Sequence, residues 1–302
     1  MKSSPLLFLF FILATSCTFE NEPPLVQLSK EISTLITKSD GDYAIAFADL
    51  KTGDTLFINA HEKFHAASTM KVPVMIELYK QAHVGKFSLN DSVLIKTEFT
   101  SIVDGSMYKM DVDVDSETIL YEQVGKKIPI RDLMYQMITK SSNLATNILI
   151  ELVDAKNVTA TMRELGAPDI EVLRGVEDLK AFSQGLSNST TAYDLMKIFE
   201  AIGMDWIISE QVCEEIRSVL LDQHFNDIIP ALLPEEVRIA HKTGSITGVK
   251  HDSGLIVLPT GHKYVLVLLS KELVDEDKGV ETLALISKKV YEYVVADKDQ
   301  QK

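Results

Sequence analysis

The sequence predicts an α+β fold in which both ends of the chain build one antiparallel sheet flanked by helices, with an all-helical lobe inserted between them. Hairpin patterns and turn signals predict the strands. The predicted strands are residues 42–50, 55–59, 237–242, 252–258 and 263–270. Lys51-Thr52-Gly53-Asp54 joins the first two and Pro259-Thr260-Gly261-His262 the last two, and both tetrapeptides are typical of turns.

Apolar residues at helical spacing predict the helices that flank and separate these strands. The predicted helices are residues 28–38, 72–83, 130–153, 157–165, 190–203, 209–223 and 277–295. Residues 97–127 are irregular and rich in acid. We therefore expect one two-lobed domain at residues 29–298, with the helical lobe at about 97–230. The interface between two lobes is a natural place for a site.

Composition and charge exclude several classes of protein. The chain has 302 residues, of which 46% are hydrophobic and 25% are charged, as in an ordinary globular protein. A disordered or collagen-like chain is therefore excluded. The net charge is −14 with no strongly basic segment, so we expect no nucleic-acid partner. Only Cys17 and Cys213 are present, which allows at most one disulfide.

The N-terminal residues have the pattern of an export signal. One lysine precedes an apolar run that is too short to span a bilayer, and Ala-Thr-Ser-Cys follows at residues 14–17. This ending resembles a bacterial lipoprotein box. We therefore expect a signal peptide at residues 1–16, a lipidated tether at residues 17–28 and lipid attachment at Cys17. The protein would be exported and either periplasmic or membrane-anchored; in the alternative, it is soluble and Cys17 is incidental.

Ser68-Thr69-Met70-Lys71 is the first sequence with catalytic potential. Residues three apart on a helix share one side, so the Lys71 amine can reach the Ser68 hydroxyl and activate it as a nucleophile. A helix N-terminus also offers free N–H groups to a developing oxyanion. Pro73 must lie in the first turn, which predicts a tight turn at Ser68 and a regular helix from about Lys71. A solvated helix start is the alternative.

Three more polar motifs lie further along the chain than Ser68. Ser141-Ser142-Asn143 interrupts an apolar helical pattern and also suits a helix N-cap, with a new helix from Leu144. Lys242-Thr243-Gly244-Ser245 ends a predicted strand and offers a cation to a carboxylate and an N–H group to an oxyanion. Arg174-Gly175-Val176-Glu177-Asp178 supplies a carboxylate that could activate water. The alternative for the Lys242 motif is a turn at a strand end. The alternative for the Arg174 motif is a surface loop with a local ion pair.

Together, the sequences STMK, SSN and KTGS resemble the S-x-x-K, S-D-N and K-T-G motifs of class A β-lactamases and related penicillin-recognising serine hydrolases. The resemblance covers about residues 30–295. It implies a β-lactamase/transpeptidase-like fold and a serine hydrolase that opens β-lactam amides through an acyl-serine intermediate. A β-lactam or a cell-wall peptide would be its substrate. We expect no cofactor, no metal and a monomer.

The resemblance also implies catalytic roles. Ser68 would be the acylated nucleophile and Lys71 its base, directly or through a proton network. Ser141 would carry a proton to the leaving nitrogen, and Glu177 would activate the water that frees the enzyme.

Other matching residues would bind the substrate. Asn143 would contact its side-chain amide, and Lys242 and Thr243 would hold its carboxylate. The N–H groups of Ser68 and Ser245 would form the oxyanion hole, with Gly244 allowing the strand to approach closely.

Three departures from the family pattern concern the deacylation step. Ser142 replaces the aspartate of S-D-N, and Glu177-Asp178-Leu179-Lys180 lacks the usual water-holding asparagine. Asn188 occupies the position expected for the acidic partner of Arg174. These changes leave the rate of deacylation open, as well as the choice between Glu177 and Asp178 as base. A penicillin-binding DD-peptidase or another cell-wall-peptide hydrolase with slow deacylation is therefore the alternative function.

Other residue patterns in the chain are compatible with different chemistries. His61-Glu62-Lys63-Phe64-His65 could bind zinc if it were helical, which would make a metalloprotease a remote alternative. A Ser-His-Asp hydrolase is disfavoured because G-x-S-x-G is absent. The acidic stretch Asp111, Asp113, Asp115 and Glu117 lacks the spacing of a calcium loop and is expected to be a solvated edge. The non-enzyme alternative is a lipid-anchored sensor or scaffold that keeps the fold without turnover.

Overall fold

A computed structural model describes residues 22–296 of the chain. The signal peptide at residues 1–16 and the lipidation site Cys17 lie outside the described residues. The eleven strands of the described part are β1 (Asp42–Asp49), β2 (Thr55–Ile58), β3 (Phe64–His65), β4 (Ser92–Leu94), β5 (Glu98–Thr100), β6 (Met107–Lys109), β7 (Lys127–Pro129), β8 (Ser189–Thr190), β9 (Arg238–Ile246), β10 (Val249–Val257) and β11 (Lys263–Lys271).

Nine α-helices and three 3-10 turns accompany these strands in the described part. The helices are α1 (Pro24–Thr37), α2 (Lys71–His83), α3 (Ile130–Thr139), α4 (Asn143–Val153), α5 (Ala155–Glu164), α6 (Leu179–Ser183), α7 (Ala192–Gly203), α8 (Glu210–Leu221) and α9 (Glu276–Ala296). The 3-10 turns are Ala67–Met70, Val112–Val114 and Ile119–Gln123.

One five-stranded antiparallel sheet joins the two ends of the chain in the order β2-β1-β11-β10-β9. Strand β1 pairs with β11 along its whole length, from Asp42 opposite Lys271 to Asp49 opposite Tyr264. This arrangement confirms the predicted α+β fold. Helices α3 to α8 lie between these two groups of strands in the chain, within the segment at 97–230.

Strand β1 is buried on both faces because helices cover both sides of the sheet. Its larger side chains, Ile45 and Phe47, pack in a cluster with residues of α1 and α9. The alanines at 44 and 46 lie in the other cluster with Phe199 of α7. Gly203 at the end of α7 lies so close to the sheet that a Cβ there would be 2.6 Å from Leu50 Cδ1. The main core therefore joins the helical lobe to the sheet.

The chain becomes helical earlier than predicted at its N-terminal end. Helix α1 begins at Pro24, because proline is compatible with the first helical turn, where no N–H is needed. Leu28 and Ile32 are buried against the sheet. The tether predicted for residues 17–28 is therefore too long, since residues 24–28 belong to the folded domain. No described helix is long and apolar enough to cross a membrane.

The single helix predicted at residues 130–153 is wrong, because it is divided into α3 and α4. Ser141 has a positive φ of 58°, which breaks the helical conformation. Ser142 then caps α4, and its Oγ accepts a hydrogen bond from Ala145 N at 3.2 Å. The N-cap interpretation of this motif is therefore confirmed. The break also brings Ser141 and Asn143 to the boundary between the lobe and the sheet.

Candidate active site

The Ser68 turn is short and tightly held. Residues 67–70 form a 3-10 turn and α2 begins at Lys71, so Pro73 lies in the first helical turn, as the sequence predicted. Ala67 has a positive φ of 45°, and its N–H donates to His65 Nδ1 at 2.9 Å. Thr69 Oγ1 donates to Ala66 O at 2.6 Å. These bonds fix the turn that carries Ser68, in which Ala67 has the strained backbone conformation.

Lys71 is fully buried and connects α2 to the 141–143 motif. Its Nζ donates to Ser141 O at 2.7 Å, to Ser141 Oγ at 3.3 Å and to Asn143 Oδ1 at 2.9 Å. Within the described residues, Ser68 Oγ is not a hydrogen-bond partner of Lys71, because these three acceptors engage the amine. Burial lowers the pKa of Lys71 to about 7, against the opposing effects of Asp115 and Glu177. Such an amine is available as a base near neutral pH.

The Ser141 hydroxyl lies between two buried amines. Besides its contact with Lys71, Ser141 Oγ accepts a hydrogen bond from Lys242 Nζ at 3.1 Å. Lys242 also donates to Thr243 O at 2.9 Å. Burial, followed by the nearby charge of Lys71, lowers the pKa of Lys242 well below its usual value. The three motifs are thus joined by hydrogen bonds that centre on one hydroxyl, which could pass protons between them.

The motif containing Gly244 lies inside β9 and not at its end, since the strand continues to Ile246. A Cβ on Gly244 would lie 3.2 Å from Ser68 N and 3.2 Å from Ala67 Cβ. A side chain here would have to push the Ser68 turn away, so glycine lets β9 lie this close to it. This approach brings Ser245, the next residue, to the same cavity as Ser68. The two backbone N–H groups predicted for an oxyanion hole thus belong to adjoining segments.

Glu177 faces this network from the other side. Asn143 Nδ2 donates to Glu177 Oε1 at 3.4 Å, while Asn143 Oδ1 accepts from Lys71, so Asn143 links the amine to the carboxylate. Burial, and then the charge of Asp115, raises the pKa of Glu177, although Arg174 and Lys71 oppose this. A carboxyl with a raised pKa is a stronger base near neutral pH.

Comparisons with known proteins agree with this arrangement of motifs. A model of the β-lactamase enzyme family matches residues 27–294. The chain belongs to this family. It is 24% identical to the β-lactamase CARB-3 of Pseudomonas aeruginosa over 264 residues, which cover 83% of this chain and 87% of that protein. The resemblance predicted from the motifs is therefore confirmed, and family membership supports a serine hydrolase that opens β-lactams.

Solved structures of similar fold include β-lactamases and a penicillin-binding protein. The β-lactamase from Sphaerobacter thermophilus DSM 20745 is 25% identical with a TM-score of 0.76, and the match covers 87% of this chain and 96% of that one. The protein PBP-A is 25% identical with a TM-score of 0.79, and the match covers 91% of this chain and 98% of that one. A single-residue mutant of PBP-A has been solved as an acyl-enzyme complex with penicillin G.

The loop that carries Glu177 is held by Asn147 in α4. Asn147 Oδ1 accepts from Val176 N at 2.6 Å, and its Nδ2 donates to Val176 O at 3.0 Å. The side chain of Asn147 occupies the space beside Gly175, where a Cβ would clash with Asn147 Oδ1. Glu177 itself has a positive φ of 63°. This residue is therefore held against the cavity in a strained conformation.

Asp178 has a different environment from Glu177. Its carboxylate caps α6 by accepting from Ala181 N at 3.1 Å, and it also accepts from Ser101 Oγ and Ile102 N, each at 3.0 Å. Burial raises the pKa of Asp178, but the hydrogen bonds outweigh this effect and lower it. Both acidic groups line the same cavity, but only Glu177 hydrogen-bonds Asn143.

The base of this loop is closed by Asn188, although not through a contact between its side chain and the Arg174 guanidinium. Asn188 Oδ1 accepts from Leu173 N at 2.8 Å and from Arg174 N at 3.2 Å, and Nδ2 donates to Arg174 O at 3.0 Å. The guanidinium instead donates to Leu186 O and Gly175 O. Asn188 thus replaces an acidic partner of Arg174 without contacting the guanidinium, because its amide bonds the main chain of residues 173–174 instead.

The zinc alternative for residues 61–65 lacks its helix. Phe64 and His65 form β3, His61 stacks on Tyr193 with a ring-centroid distance of 4.5 Å, and His65 Nδ1 accepts from Ala67 N. The two histidines therefore do not share a helix face. Throughout residues 22–296, no group of three or more His, Cys, Asp or Glu side chains is arranged to hold a metal ion.

The acidic stretch is only partly a solvated edge. Asp111 and Asp113 are exposed, but Asp115 is half-buried and Glu117 is buried. Glu117 accepts hydrogen bonds from Ile119 N and Leu120 N, each at 3.0 Å. The prediction is wrong for these two residues because they satisfy backbone N–H groups instead of facing water.

Lys250 is a candidate binding residue that the sequence analysis missed. It lies opposite Ser245 in the β9–β10 pair, and its Nζ donates to Ser245 Oγ at 2.9 Å and pairs with Glu276 at 2.9 Å. Lys242 is enclosed beneath the cavity, whereas Lys250 lines it. Neighbouring His251 is neutral near pH 7 because burial lowers its pKa to about 4. The sequence does contain a signal for this residue, because a hairpin turn at Thr247-Gly248 places Lys250 opposite Ser245.

Two adjoining cavities meet at Ser68. The first, of about 370 Å³, is also lined by Ser141, Thr243 and Lys250. The second, of about 410 Å³, lies towards Glu177 and has apolar walls that include Phe182. A substrate attacked at the Ser68 position could therefore extend in two directions, towards Lys250 on one side and towards Glu177 and Phe182 on the other.

Proposed function

We propose that the predicted residues carry out β-lactam hydrolysis in two steps, through an ester on Ser68. The observation that carries this proposal is the position of Ser141 Oγ between Lys71 Nζ and Lys242 Nζ, next to the cavity that Ser68 lines. This arrangement provides a nucleophile, a base of suitable pKa and a proton carrier in one water-accessible site.

In the acylation step, Lys71 in its neutral form accepts the proton of Ser68, either directly after a rotation of its amine or through the network. Ser68 Oγ then bonds to the lactam carbonyl carbon, and the N–H groups of Ser68 and Ser245 stabilise the oxyanion. As the ring C–N bond breaks, the nitrogen takes a proton from Ser141 Oγ. Lys71 returns a proton to Ser141, so the first step leaves an ester and an opened ring.

Substrate binding uses both sides of the cavity. Asn143 contacts the side-chain amide of the substrate, as proposed from the sequence. Thr243 and Ser245 bind the substrate carboxylate, and Lys242 supplies positive potential from below whenever it is protonated. Lys250 adds a second, water-accessible cation beside Ser245.

In the deacylation step, Glu177 accepts a proton from a water molecule, which attacks the ester carbonyl carbon. The ester C–O bond breaks and the proton returns to Ser68 Oγ. The raised pKa of Glu177 and its link to Lys71 through Asn143 support this assignment. Asp178 is the weaker candidate, because its carboxylate already accepts three hydrogen bonds.

Nitrocefin turnover combined with intact-protein mass spectrometry after a penicillin pulse tests this function. We expect turnover together with a transient adduct on Ser68, which Ser68→Ala abolishes. The absence of both turnover and adduct would overturn the proposal. A persistent adduct with little turnover would instead support a penicillin-binding peptidase, which the curated β-lactamase relatives do not favour.

We also propose that the protein is an exported lipoprotein that acts as a monomer in the periplasm or at a membrane surface. The apolar N-terminal run and the sequence ending in Cys17 support this localisation. Radiolabelled palmitate should be incorporated by the wild type and not by Cys17→Ser. Size-exclusion chromatography with light scattering on the chain from residue 22 onwards tests the monomer.

A further inference from the structure

The carboxylate of Asp115 is bound to the N-terminus of α4 from a distant segment. Asp115 Oδ1 accepts a hydrogen bond from Asn143 N at 2.9 Å, and Oδ2 accepts one from Leu144 N at 2.8 Å. Tyr121 OH donates to Oδ2 at 3.0 Å. The first N–H groups of a helix have no partner within the helix, and a negative charge there is stabilising. Asp115 thus supplies two acceptors and a charge at this position.

The neighbouring residues show why this external partner is needed. Ser142, which stands where the family has an aspartate, uses its side chain to accept from Ala145 N and carries no charge. The first two N–H groups of α4 are left for Asp115. Ser116 reinforces the contact, since its Oγ donates to Lys140 O at 2.7 Å and to Ser141 O at 3.0 Å. Asp115 and Ser116 therefore hold both sides of the break between α3 and α4.

This break carries the proposed proton path. Asn143 Oδ1 and Ser141 O both accept from Lys71 Nζ, and Asn143 Nδ2 donates to Glu177. Ser141 has a left-handed backbone conformation, which is strained for a residue other than glycine and persists only where the surroundings enforce it. The hydrogen bonds from Asp115 and Ser116 are among the contacts that fix this backbone.

We propose that Asp115 is a positioning residue for β-lactam hydrolysis. Its carboxylate holds the Ser141–Asn143 segment where Lys71, Ser141 and Glu177 can exchange protons. This role rests on the proposed function, and it gives a purpose to an acidic stretch that the sequence suggested was solvated.

The charge of Asp115 gives this role a second measurable effect, on the pKa values of neighbouring groups. It raises the pKa of both Lys71 and Glu177. Lys71 is also faced by Glu177 and Lys242, and Glu177 by Arg174. Removing the charge of Asp115 while leaving these other groups in place should therefore lower the pKa of both proposed proton carriers. A cap that only stabilised the helix would not produce this effect.

Asp115→Asn and Asp113→Asn form a matched pair for the test, since Asp113 lies exposed in the same stretch. With nitrocefin, we expect kcat to fall by about 10- to 100-fold in Asp115→Asn, because the proton path is displaced. The acid limb of its kcat–pH profile should move to lower pH, because Lys71 and Glu177 both act in their deprotonated forms. Asp113→Asn should retain the wild-type profile.

Two further measurements separate the possible outcomes. Urea unfolding gives the folded fraction, and an NMR titration of ¹³C-labelled lysines, with Lys71→Arg for assignment, reports the Lys71 amine without requiring turnover. A wild-type kcat in Asp115→Asn would overturn the role. So would a loss that follows only the folded fraction, with an unmoved acid limb and an unmoved Lys71 titration. If the wild type fails to hydrolyse or be acylated by any β-lactam, the proposed function falls, while the NMR titration still decides whether Asp115 acts on Lys71.

Discussion

Lys71 Nζ donates a hydrogen bond to Asn143 Oδ1 at 2.9 Å and thereby joins the helix that follows Ser68 to the helix that follows Ser141. The same asparagine contacts Glu177 with its amide nitrogen at 3.4 Å. One neutral side chain thus connects the proposed bases of both chemical steps.

The first prediction concerns the pH dependence of acylation. Because burial lowers the pKa of Lys71 to about 7, its neutral and basic form becomes populated as the pH rises through about 7. The rate of acylation by penicillin should therefore increase over this range, as measured by mass spectrometry of quenched samples. Lys71→Arg, whose guanidinium remains protonated, should remove this dependence along with most of the rate. An acylation rate that does not change with pH over this range would contradict the role of Lys71 as base.

The second prediction separates the two acidic groups of the loop. Glu177→Gln should slow deacylation by about 100-fold or more, because the substituted amide cannot accept the proton of water. The adduct on Ser68 should then persist in intact-protein mass spectra after a penicillin pulse.

Asp178→Asn is the matched comparison for Glu177→Gln. It should weaken the cap of α6 and the contacts with Ser101 and Ile102, and so lower stability, without trapping the adduct. Unchanged deacylation in Glu177→Gln would remove Glu177 from the mechanism and make Asp178 the next candidate.

The third prediction concerns Lys250 and the substrate carboxylate. Lys250→Met should raise KM for a penicillin by about tenfold with a smaller effect on kcat, which corresponds to a loss of roughly 1.4 kcal/mol of binding. The methyl ester of the same penicillin carries no carboxylate charge and should be insensitive to the substitution. Lys288→Met, on an exposed part of α9, is the control for a general change in charge. Equal losses for the acid and the ester would show that Lys250 does not bind the carboxylate.

The fourth prediction concerns stability of the loop that carries Glu177. Asn188→Ala removes three hydrogen bonds to the backbone of residues 173–174 in a buried position, and should lower the free energy of unfolding by about 2–3 kcal/mol. Urea denaturation measures this change. Asn90→Ala, at an exposed turn, should have an effect within about 0.5 kcal/mol. A similar midpoint for both variants would show that Asn188 does not hold the loop closed.

Much of the fold could be predicted because its signals are local. The strands of the main sheet follow from hairpin patterns and turns, and the tight turn at Ser68 follows from the position of Pro73. The early start of α1 was missed because a run with two prolines resembles a tether, although proline is tolerated in a first helical turn. The division of 130–153 was indicated by Ser142 but hidden by the strong apolar pattern on either side.

The candidate site was predictable in its residue types and not in its connections. The resemblance to the family selected Ser68, Lys71, Ser141 and Lys242 together, and the structure brings their motifs to one place. It did not indicate that Lys242 is enclosed while Lys250 faces the cavity. Nor did it indicate that Asn188 would hold the backbone of the loop, since these contacts depend on which segments pack side by side.

The sequence by itself determined the order of the motifs, the strands and the turn that presents Ser68, because each depends on neighbouring residues. Tertiary structure decided the chemistry of the groups. Lys71 and Ser141 are 70 residues apart, and Ser141 and Lys242 are 101 residues apart, yet each pair is hydrogen-bonded in a buried site. Removal from water changes the proton affinity of a charged group, and only packing between distant segments determines that removal. Asp115 shows the same dependence, because an acid that looked solvated in sequence lies at the end of a helix.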